Sequence, residues 1–213
     1  MTPCADAPPA LAQVVQRYAE TNRGIVFFHL HRLFDVHDAV AARHEDLALN
    51  GVYNDGVLVR VHVTAYSIDG KPASAADIAG IEESWVHPKP GDAFSPPFDE
   101  RNLDTYQYRA DGDAAISFTT SVQEQGHGNG SFSYDAQNDV VSYTYQPNVL
   151  PPHAKWGRIT AQRAEVLPGY WASTQETQEY KGSVGPFAGS GTVETTYSDF
   201  RRFPDLQSAL AAL

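Results

Sequence analysis

The sequence predicts a mainly β protein built on one large, curved antiparallel sheet. Two observations carry this prediction: a single amphipathic helix opens the chain, and runs of alternating apolar and polar residues then follow one another. The run over 191–203 is the clearest of them. A sheet with one apolar face must cover that face with helices or leave room for an apolar ligand.

Composition indicates a globular chain of one domain. Its 213 residues are 42% hydrophobic, which is enough for a substantial core, and 1–213 is predicted to fold as a single domain. Residues 1–7 are expected to form a flexible N-terminus, and 86–100 a long proline-rich loop. The net charge of −11 disfavours nucleic acid as a partner, because phosphates would be repelled.

Cys4 is the single cysteine, which excludes a disulfide within the chain and a zinc site with paired cysteines. Lipidation of Cys4 is an alternative that Met1-Thr2-Pro3 argues against, because a lipobox needs an apolar stretch before the cysteine. No signal peptide or membrane-spanning stretch is visible. The expected location is periplasmic or otherwise exported if a leader has been removed, with cytoplasmic as the alternative.

The first half of the chain is predicted to contain a helix and three strands. The helix follows Pro8 and Pro9 and ends near Gly24. One apolar stripe defines it at helical spacing: Leu11, Val14, Val15 and Tyr18. A strand over 25–36 comes next, and a hairpin around 54–56 follows because Asp-Gly accepts positive φ. On the return strand, plain alternation places four valines on one face: Val57, Val59, Val61 and Val63.

The second half is predicted to be a short helix, a loop and further strands. Ser74 and Asp77 have the spacing of a capping box at the start of the helix. Strands are expected around Tyr106, around Ile116, and over three later ranges: 158–166, 170–180 and 192–203. The glycine-rich segment 126–130 predicts a turn, and Glu176 is expected on an exposed strand face. A terminal helix is expected over 205–213.

This order of elements resembles the bacterial lipoprotein-carrier superfamily (LolA/LolB-like). The resemblance rests on the leading helix, the hairpin over 54–56, the helix and proline-rich excursion over 74–99, and the strand ending at 197–203. It implies a mainly β (α+β) fold, with a single curved antiparallel sheet forming an unclosed half-barrel around the N-terminal helix and a short central helix. It also implies an apolar cavity for lipid-linked cargo.

The favoured function is that of a soluble, non-catalytic binding or carrier protein without a cofactor. It would hold a lipid, acyl chain or other apolar ligand, or a lipidated protein, and serve lipid or lipoprotein trafficking. No catalytic motif supports an enzyme; His44-Glu45 begins a zincin motif, but Ala48 stands where the second histidine is needed. The predicted cavity residues are Val26, Phe28, Leu30, Val59, Val61, Trp85, Phe94, Phe98, Ile116, Phe118 and Tyr143.

Three alternatives stay open. A metal-dependent hydrolase would use His29, His31 and His37, which share one strand face with Asp35 and lie within reach of His62. A carbohydrate-binding module would use a groove of aromatic residues: Tyr143, Tyr145, Trp156, Tyr170 and Trp171. A partner-binding module would need only a sheet edge or loop surface. The aromatic residues in and beside the proline-rich loop are predicted to form either a mobile lid or a plug.

Overall fold

The structure, a computed structural model, describes residues 7–38, 42–88, 94–124, 126–184 and 187–213. Cys4 and the rest of 1–6 lie outside the described residues, as does 89–93 of the proline-rich segment. Within these ranges the helices are α1 (Leu11–Thr21), α2 (Ala75–Val86), α3 (Leu206–Leu210) and a 3-10 helix (Glu100–Thr105). The strands are β1 (Ile25–Asp38), β2 (Ala42–Asn54), β3 (Val57–Ile68), β4 (Lys71–Pro72), β5 (Gln107–Ala110), β6 (Ala115–Thr119), β7 (Gly128–Tyr134), β8 (Val140–Pro147), β9 (Ala154–Leu167), β10 (Tyr170–Val184) and β11 (Phe187–Phe203).

These strands form one antiparallel sheet in the order β4-β3-β2-β1-β11-β10-β9-β8-β7-β6-β5. Strands consecutive in the chain are adjacent in the sheet, except β4 and β5, which form its two edges; in the middle of the sheet, β1 pairs with β11. The edge strands β4 and β5 are short, with two and four residues, and do not pair with each other. The predicted fold class is therefore confirmed: one antiparallel sheet that is not closed into a barrel, accompanied by a few helices.

The two faces of the sheet, which we call the inner face and the outer face, carry different helices. On the inner face, α1 packs on an apolar cluster from β5–β9, and α2 packs on a second cluster from β1–β3. On the outer face, α3 packs against Phe27 and Val52. Successive side chains of a strand point to opposite faces, so Phe28 and Leu30 lie on the inner face and Phe27 on the outer face.

A β-bulge in β3 changes which valines share a face. Val52 of β2 pairs with Arg60, and the next residue of β2, Tyr53, pairs with Leu58, which leaves Val59 as an extra residue. Val59 consequently packs with the outer cluster, whereas Val61 is buried in the inner one. Plain alternation therefore assigns Val59 to the wrong face.

The glycine-rich segment is only partly a turn, because β7 begins at Gly128. A Cβ atom on Gly128 would collide with the backbone oxygen of Gln146, and one on Gly130 with that of Thr144. Both glycines therefore mark a close approach of β7 to β8.

The predicted hairpin over 54–56 is present, with φ of 49° at Asp55 and 76° at Gly56.

An ion pair ties α1 to the sheet. The Arg17 guanidinium donates two hydrogen bonds to the Asp139 carboxylate, at 2.9 and 3.0 Å, and Asp139 is almost fully buried. Such a two-point contact is directional, so it fixes the helix over the cluster that its apolar stripe covers. Of the predicted stripe, Leu11, Val14 and Val15 are buried.

The second helix is held more lightly. Ser74 and Asp77 form the predicted capping box at its start, but none of its residues is fully buried. Its Glu82 carboxylate accepts a hydrogen bond from the backbone amide of Val63 at 2.8 Å, which anchors the helix to β3.

Within the described ranges, no helix combines the length and apolar character needed to cross a membrane.

Replacing Gly51 by alanine should destabilise the protein. Gly51 lies opposite Phe28 across the β1–β2 ladder, and an added methyl group would overlap the Phe28 ring. That ring is held in place by stacking on Tyr53 at 4.7 Å. We expect G51A to lower the free energy of unfolding by about 1–3 kcal/mol, the usual cost of an overpacked core, as measured by urea denaturation.

Gly80 provides the matched control, since it lies on exposed α2 and a methyl group there meets no atom within 4 Å. G80A should raise stability by roughly 0.5–1 kcal/mol, because alanine is the better helix former. A G51A protein as stable as the parent would show that the Phe28 ring is free to move.

Candidate ligand-binding site

A cavity of about 200 Å³ lies on the inner face between α1 and the sheet. Its wall is mostly aromatic, but it also contains two groups of opposite charge, Glu176 and Arg163. The complete lining is Tyr18, Asn22, Tyr53, Gly56, Phe94, Pro96, Phe98, Tyr143, Arg163, Tyr170, Ala172, Ser173, Glu176, Tyr197 and Phe200. We call this space the inner cavity.

Arg163 defines the end of the inner cavity next to α1. Its guanidinium carbon lies 4.7 Å from the centre of the Tyr18 ring and 5.8 Å from that of Phe98. The same group donates a hydrogen bond of 2.9 Å to the backbone oxygen of Trp171. Arg163 is thus a buried cation held by ring faces and a carbonyl oxygen.

Glu176 lines the inner cavity from β10, where it lies opposite Ala161 of β9. Its carboxylate accepts a hydrogen bond from Gln178 at 2.7 Å, and Gln178 in turn accepts one from the Tyr180 hydroxyl at 3.0 Å. These side chains alternate along β10 and so share the inner face. Burial raises the pKa of Glu176 above its ordinary value, although the Gln178 bond and the charge of Arg32 oppose the rise.

The charges of Glu176 and Arg163 both affect the tyrosines that line the inner cavity. Burial is the main reason that their pKa values are raised. The negative charge of Glu176 adds to the pKa rise at Tyr53, Tyr143 and Tyr197. The positive charge of Arg163 opposes the rise at Tyr18, Tyr143 and Tyr170. The charge of Glu176 thus acts on Tyr197 and that of Arg163 on Tyr18, while Tyr143 lies within the influence of both.

A second, more open space of about 230 Å³ lies farther along the inner face, beyond Tyr180. We call it the outer groove, although it lies on the inner face of the sheet, as the inner cavity does. Glycines and prolines leave room above the strands there, and its lining is Phe34, Val36, Pro151, Pro152, His153, Ala154, Tyr180, Lys181, Gly182, Ser183, Gly189, Ser190 and Gly191. The Glu176–Gln178–Tyr180 series of β10 runs from the inner cavity to the outer groove.

The residues predicted to line a cavity occupy three kinds of position. Phe94, Phe98 and Tyr143 line the inner cavity. Six are buried and line neither the inner cavity nor the outer groove: Val26, Phe28, Leu30, Val61, Ile116 and Phe118. Trp85 is half-buried on α2, with the Arg32 guanidinium carbon 5.9 Å from its ring centre, and Val59 lies on the outer face.

The aromatic residues of the proline-rich segment cover the inner face. Phe94 stacks on Tyr143 and Tyr145, with ring centres 5.0 and 4.5 Å apart. Phe98 is buried and meets Tyr18 edge-on at 4.9 Å. Phe98 therefore belongs to the core under α1, whereas half-buried Phe94 forms part of the cavity wall.

The histidines of β1 lie on the outer face, away from both spaces. His29 hydrogen-bonds Asn50 at 3.0 Å, and His31 contacts Asp46 at 2.9 Å. Asp35 contacts His44 at 2.7 Å, and His37 is exposed. Each contact is a cross-strand pair, and the described part of the chain contains no cluster of three or more side chains suited to hold a metal ion.

The aromatic groove considered for carbohydrates is not brought together as one surface. Tyr143 and Tyr170 line the inner cavity, and Tyr145 packs beneath Phe94. Trp156 instead lies beside two cations, with Arg158 and Lys181 at 5.6 and 5.2 Å from its ring centre. Trp171 contributes its backbone oxygen to Arg163.

Sequence reasoning missed Glu176 and Arg163. Glu176 was expected on an exposed strand face, and the structure places it half-buried in the wall of the inner cavity. A usable signal was its spacing from Tyr180, since residues four apart in a strand share a face. Arg163 continues the two-residue period of Ile159 and Ala161, but Gln162 and Arg163 are consecutive polar residues, so the apolar pattern of β9 stops there and does not predict a buried cation.

Comparison with solved structures finds similar architectures at low sequence identity. A LolA superfamily protein from Nitrosomonas europaea is 7% identical, with a TM-score of 0.42, and the match covers 93% of this chain and 96% of that one. A putative outer membrane lipoprotein-sorting protein domain from Vibrio parahaemolyticus is 11% identical, with a TM-score of 0.47 and coverage of 92% and 93%. A DUF1329 family protein from Desulfovibrio piger is 10% identical, with a TM-score of 0.36 and coverage of 94% for each chain.

No protein-family model matches the chain, and no curated protein matches it. The resemblance to the lipoprotein-carrier superfamily is therefore one of architecture alone, and similarity at this level identifies no function.

Glu176→Gln should stabilise the protein at neutral pH. The folded protein holds a proton on Glu176 more tightly than the unfolded chain does, so stability falls as pH rises from the ordinary value of 4.5 through the raised pKa. E176Q removes this loss, and its urea midpoint should exceed that of the parent at pH 7 and converge with it toward pH 4. Glu194→Gln, on an exposed part of β11, should follow the parent at every pH; an E176Q protein that does the same would contradict burial of the carboxyl group.

Proposed function

We propose that this protein is a non-catalytic carrier that holds a lipid, an acyl chain or another apolar ligand on the inner face of its sheet. The observation that carries the proposal is the incompletely filled interior: the inner cavity and the outer groove lie on the same face, and different residues of β10 line each of them. A protein that needed this face only for stability would close such spaces, because interiors pack densely.

The outer groove supports an apolar ligand through its composition. Phe34, Val36, Pro151 and Pro152 provide carbon surface, and the glycines of β11 expose a flat floor. Each CH₂ group that leaves water contributes about 0.8 kcal/mol, so a chain lying along this groove gains affinity without a polar motif.

The light attachment of α2 supports access to a larger apolar surface. No residue of α2 is fully buried. The strands beneath it, in contrast, contain buried apolar side chains, among them Leu47, Leu49 and Val61. Displacing α2 would therefore uncover much apolar surface at the cost of few buried side chains on the helix. In the open form, Phe28, Leu30, Val61 and Trp85 would line the binding face as the sequence predicts.

The physiological role that we propose is the transfer of such a ligand by an exported, periplasmic protein. Lipoprotein or lipid trafficking belongs to the same proposal, with a lipidated protein as one possible form of the cargo. The outer groove and the α2 cover are the features of the chain that suit such cargo, since both offer carbon surface near solvent.

The purified protein should bind the neutral apolar dye N-phenyl-1-naphthylamine, with a rise in dye fluorescence that a monoacylglycerol reverses. Gly191 lines the outer groove, and Gly191→Trp should weaken dye and lipid binding roughly tenfold, about 1.4 kcal/mol, by filling the space. Thr196→Trp, on an exposed part of β11, is the matched control and should bind like the parent.

Native mass spectrometry of freshly purified protein should also detect a co-purified lipid. A protein that carries no lipid, binds no dye and gains none after incubation with monoacylglycerol would overturn the carrier function.

A further inference from the structure

We infer that the inner cavity is a headgroup site for an organic cation of the quaternary ammonium class, with the ammonium group between Glu176 and the tyrosines around it. This inference rests on the proposed function where the cation belongs to a lipid, and it names the headgroup that the carrier selects.

Aromatic rings line the inner cavity together with Glu176. Tyr53 and Tyr197 each have one side against Phe28, at 4.7 and 5.9 Å between ring centres, and both line the cavity. Tyr143 is supported by Phe94 at 5.0 Å and also lines it. Ring faces attract cations, and enclosure by several aromatic rings is the usual way in which proteins recognise quaternary ammonium groups.

Glu176 supplies a negative charge that no cation among the described residues contacts directly. It forms no ion pair within 4 Å in the part of the chain that the structure describes, and Gln178, which donates a hydrogen bond to it, is neutral. The charge of Arg32 acts on it only from a greater distance. An ionised carboxylate in a poorly solvated wall is unfavourable unless a cation approaches it. A bound ammonium group provides that cation, and the ring faces replace part of its hydration.

Other ligands fit this part of the cavity less well. An acyl chain would leave the Glu176 carboxyl group and the tyrosine hydroxyls without water or partners, at the cost of an unpaired polar group for each. An anion would be repelled by Glu176. The positive Arg163 lines the same cavity beside Tyr18, so it suits the phosphate of a zwitterionic headgroup whose ammonium group reaches Glu176.

The test compares two lipids that carry the same short acyl chain and no net charge: lysophosphatidylcholine and monoacylglycerol. Titration calorimetry below the micelle concentration should show tighter binding of the choline lipid by roughly tenfold, about 1.4 kcal/mol. Glu176→Gln should abolish this preference, and Glu194→Gln, on an exposed part of β11, should retain it. Tetramethylammonium alone should displace the choline lipid from the parent protein and not from E176Q.

The outcomes separate this inference from the carrier function. Equal affinity for both lipids, or a preference that survives in E176Q, overturns the headgroup site and leaves the carrier intact. Binding of tetramethylammonium with no binding of either lipid supports the cation site and overturns the carrier. Failure of all three probes to bind overturns both. Urea denaturation of E176Q confirms that the variant is folded in each case.

Discussion

The pairing of β1 with β11 joins the two halves of this molecule. It runs from Ile25 opposite Phe203 to Asp38 opposite Gly189, and it links strands that lie at opposite ends of the sequence. Through it, Tyr53 beside β1 meets Tyr197 of β11 and Glu176 of β10 in one wall. Closing so long a loop costs chain entropy, which extensive strand pairing and burial of Phe28 and Leu30 must offset. Without this pairing there would be two separate half-sheets and no inner cavity.

The interior of the sheet follows two different rules. Under α1 it is a dense aromatic core, in which Phe98, Phe118 and Phe132 are buried and in contact. Between α1 and β11 it instead holds a carboxyl group, a guanidinium group and several phenol hydroxyls around open space. Polar groups placed there oppose folding, and proteins retain such local conflicts mainly where binding needs them. The contrast within one face is the physical reason to read the cavity as a site.

Local patterns in the sequence predicted the elements well, because their causes are local. Alternation in β1 assigned Phe28 and Leu30 to one face and the histidines to the other, and the Asp55-Gly56 turn and the capping box at Ser74 need only neighbouring residues. The Val59 bulge escaped prediction because the valines of β3 alternate without interruption across it. The extra residue is visible only in the pairing of β3 with β2, which the sequence of β3 alone does not contain.

The candidate site was harder to predict for the same reason. In β10 both faces carry polar residues, so within the strand only the four-residue spacing from Tyr180 indicates that Glu176, and not Gln175, points inward. The pairing of Glu176 with Ala161 on one side and Thr195 on the other decides it. Likewise, the histidines were correctly placed on one face, but their contacts with Asn50 and Asp46 come from β2. Electrostatic sites of this kind depend on register, which a single sequence specifies only indirectly.

The short edges of the sheet have a consequence for behaviour in solution. Long exposed edges invite strand addition by other chains, and proteins avoid this with brief edge strands, lysine and proline. Here β4 consists of Lys71 and Pro72 alone, and β5 ends after four residues, so neither offers a template on which a second copy could polymerise. An open sheet can thus keep its interior accessible to a guest without becoming the seed of a fibril.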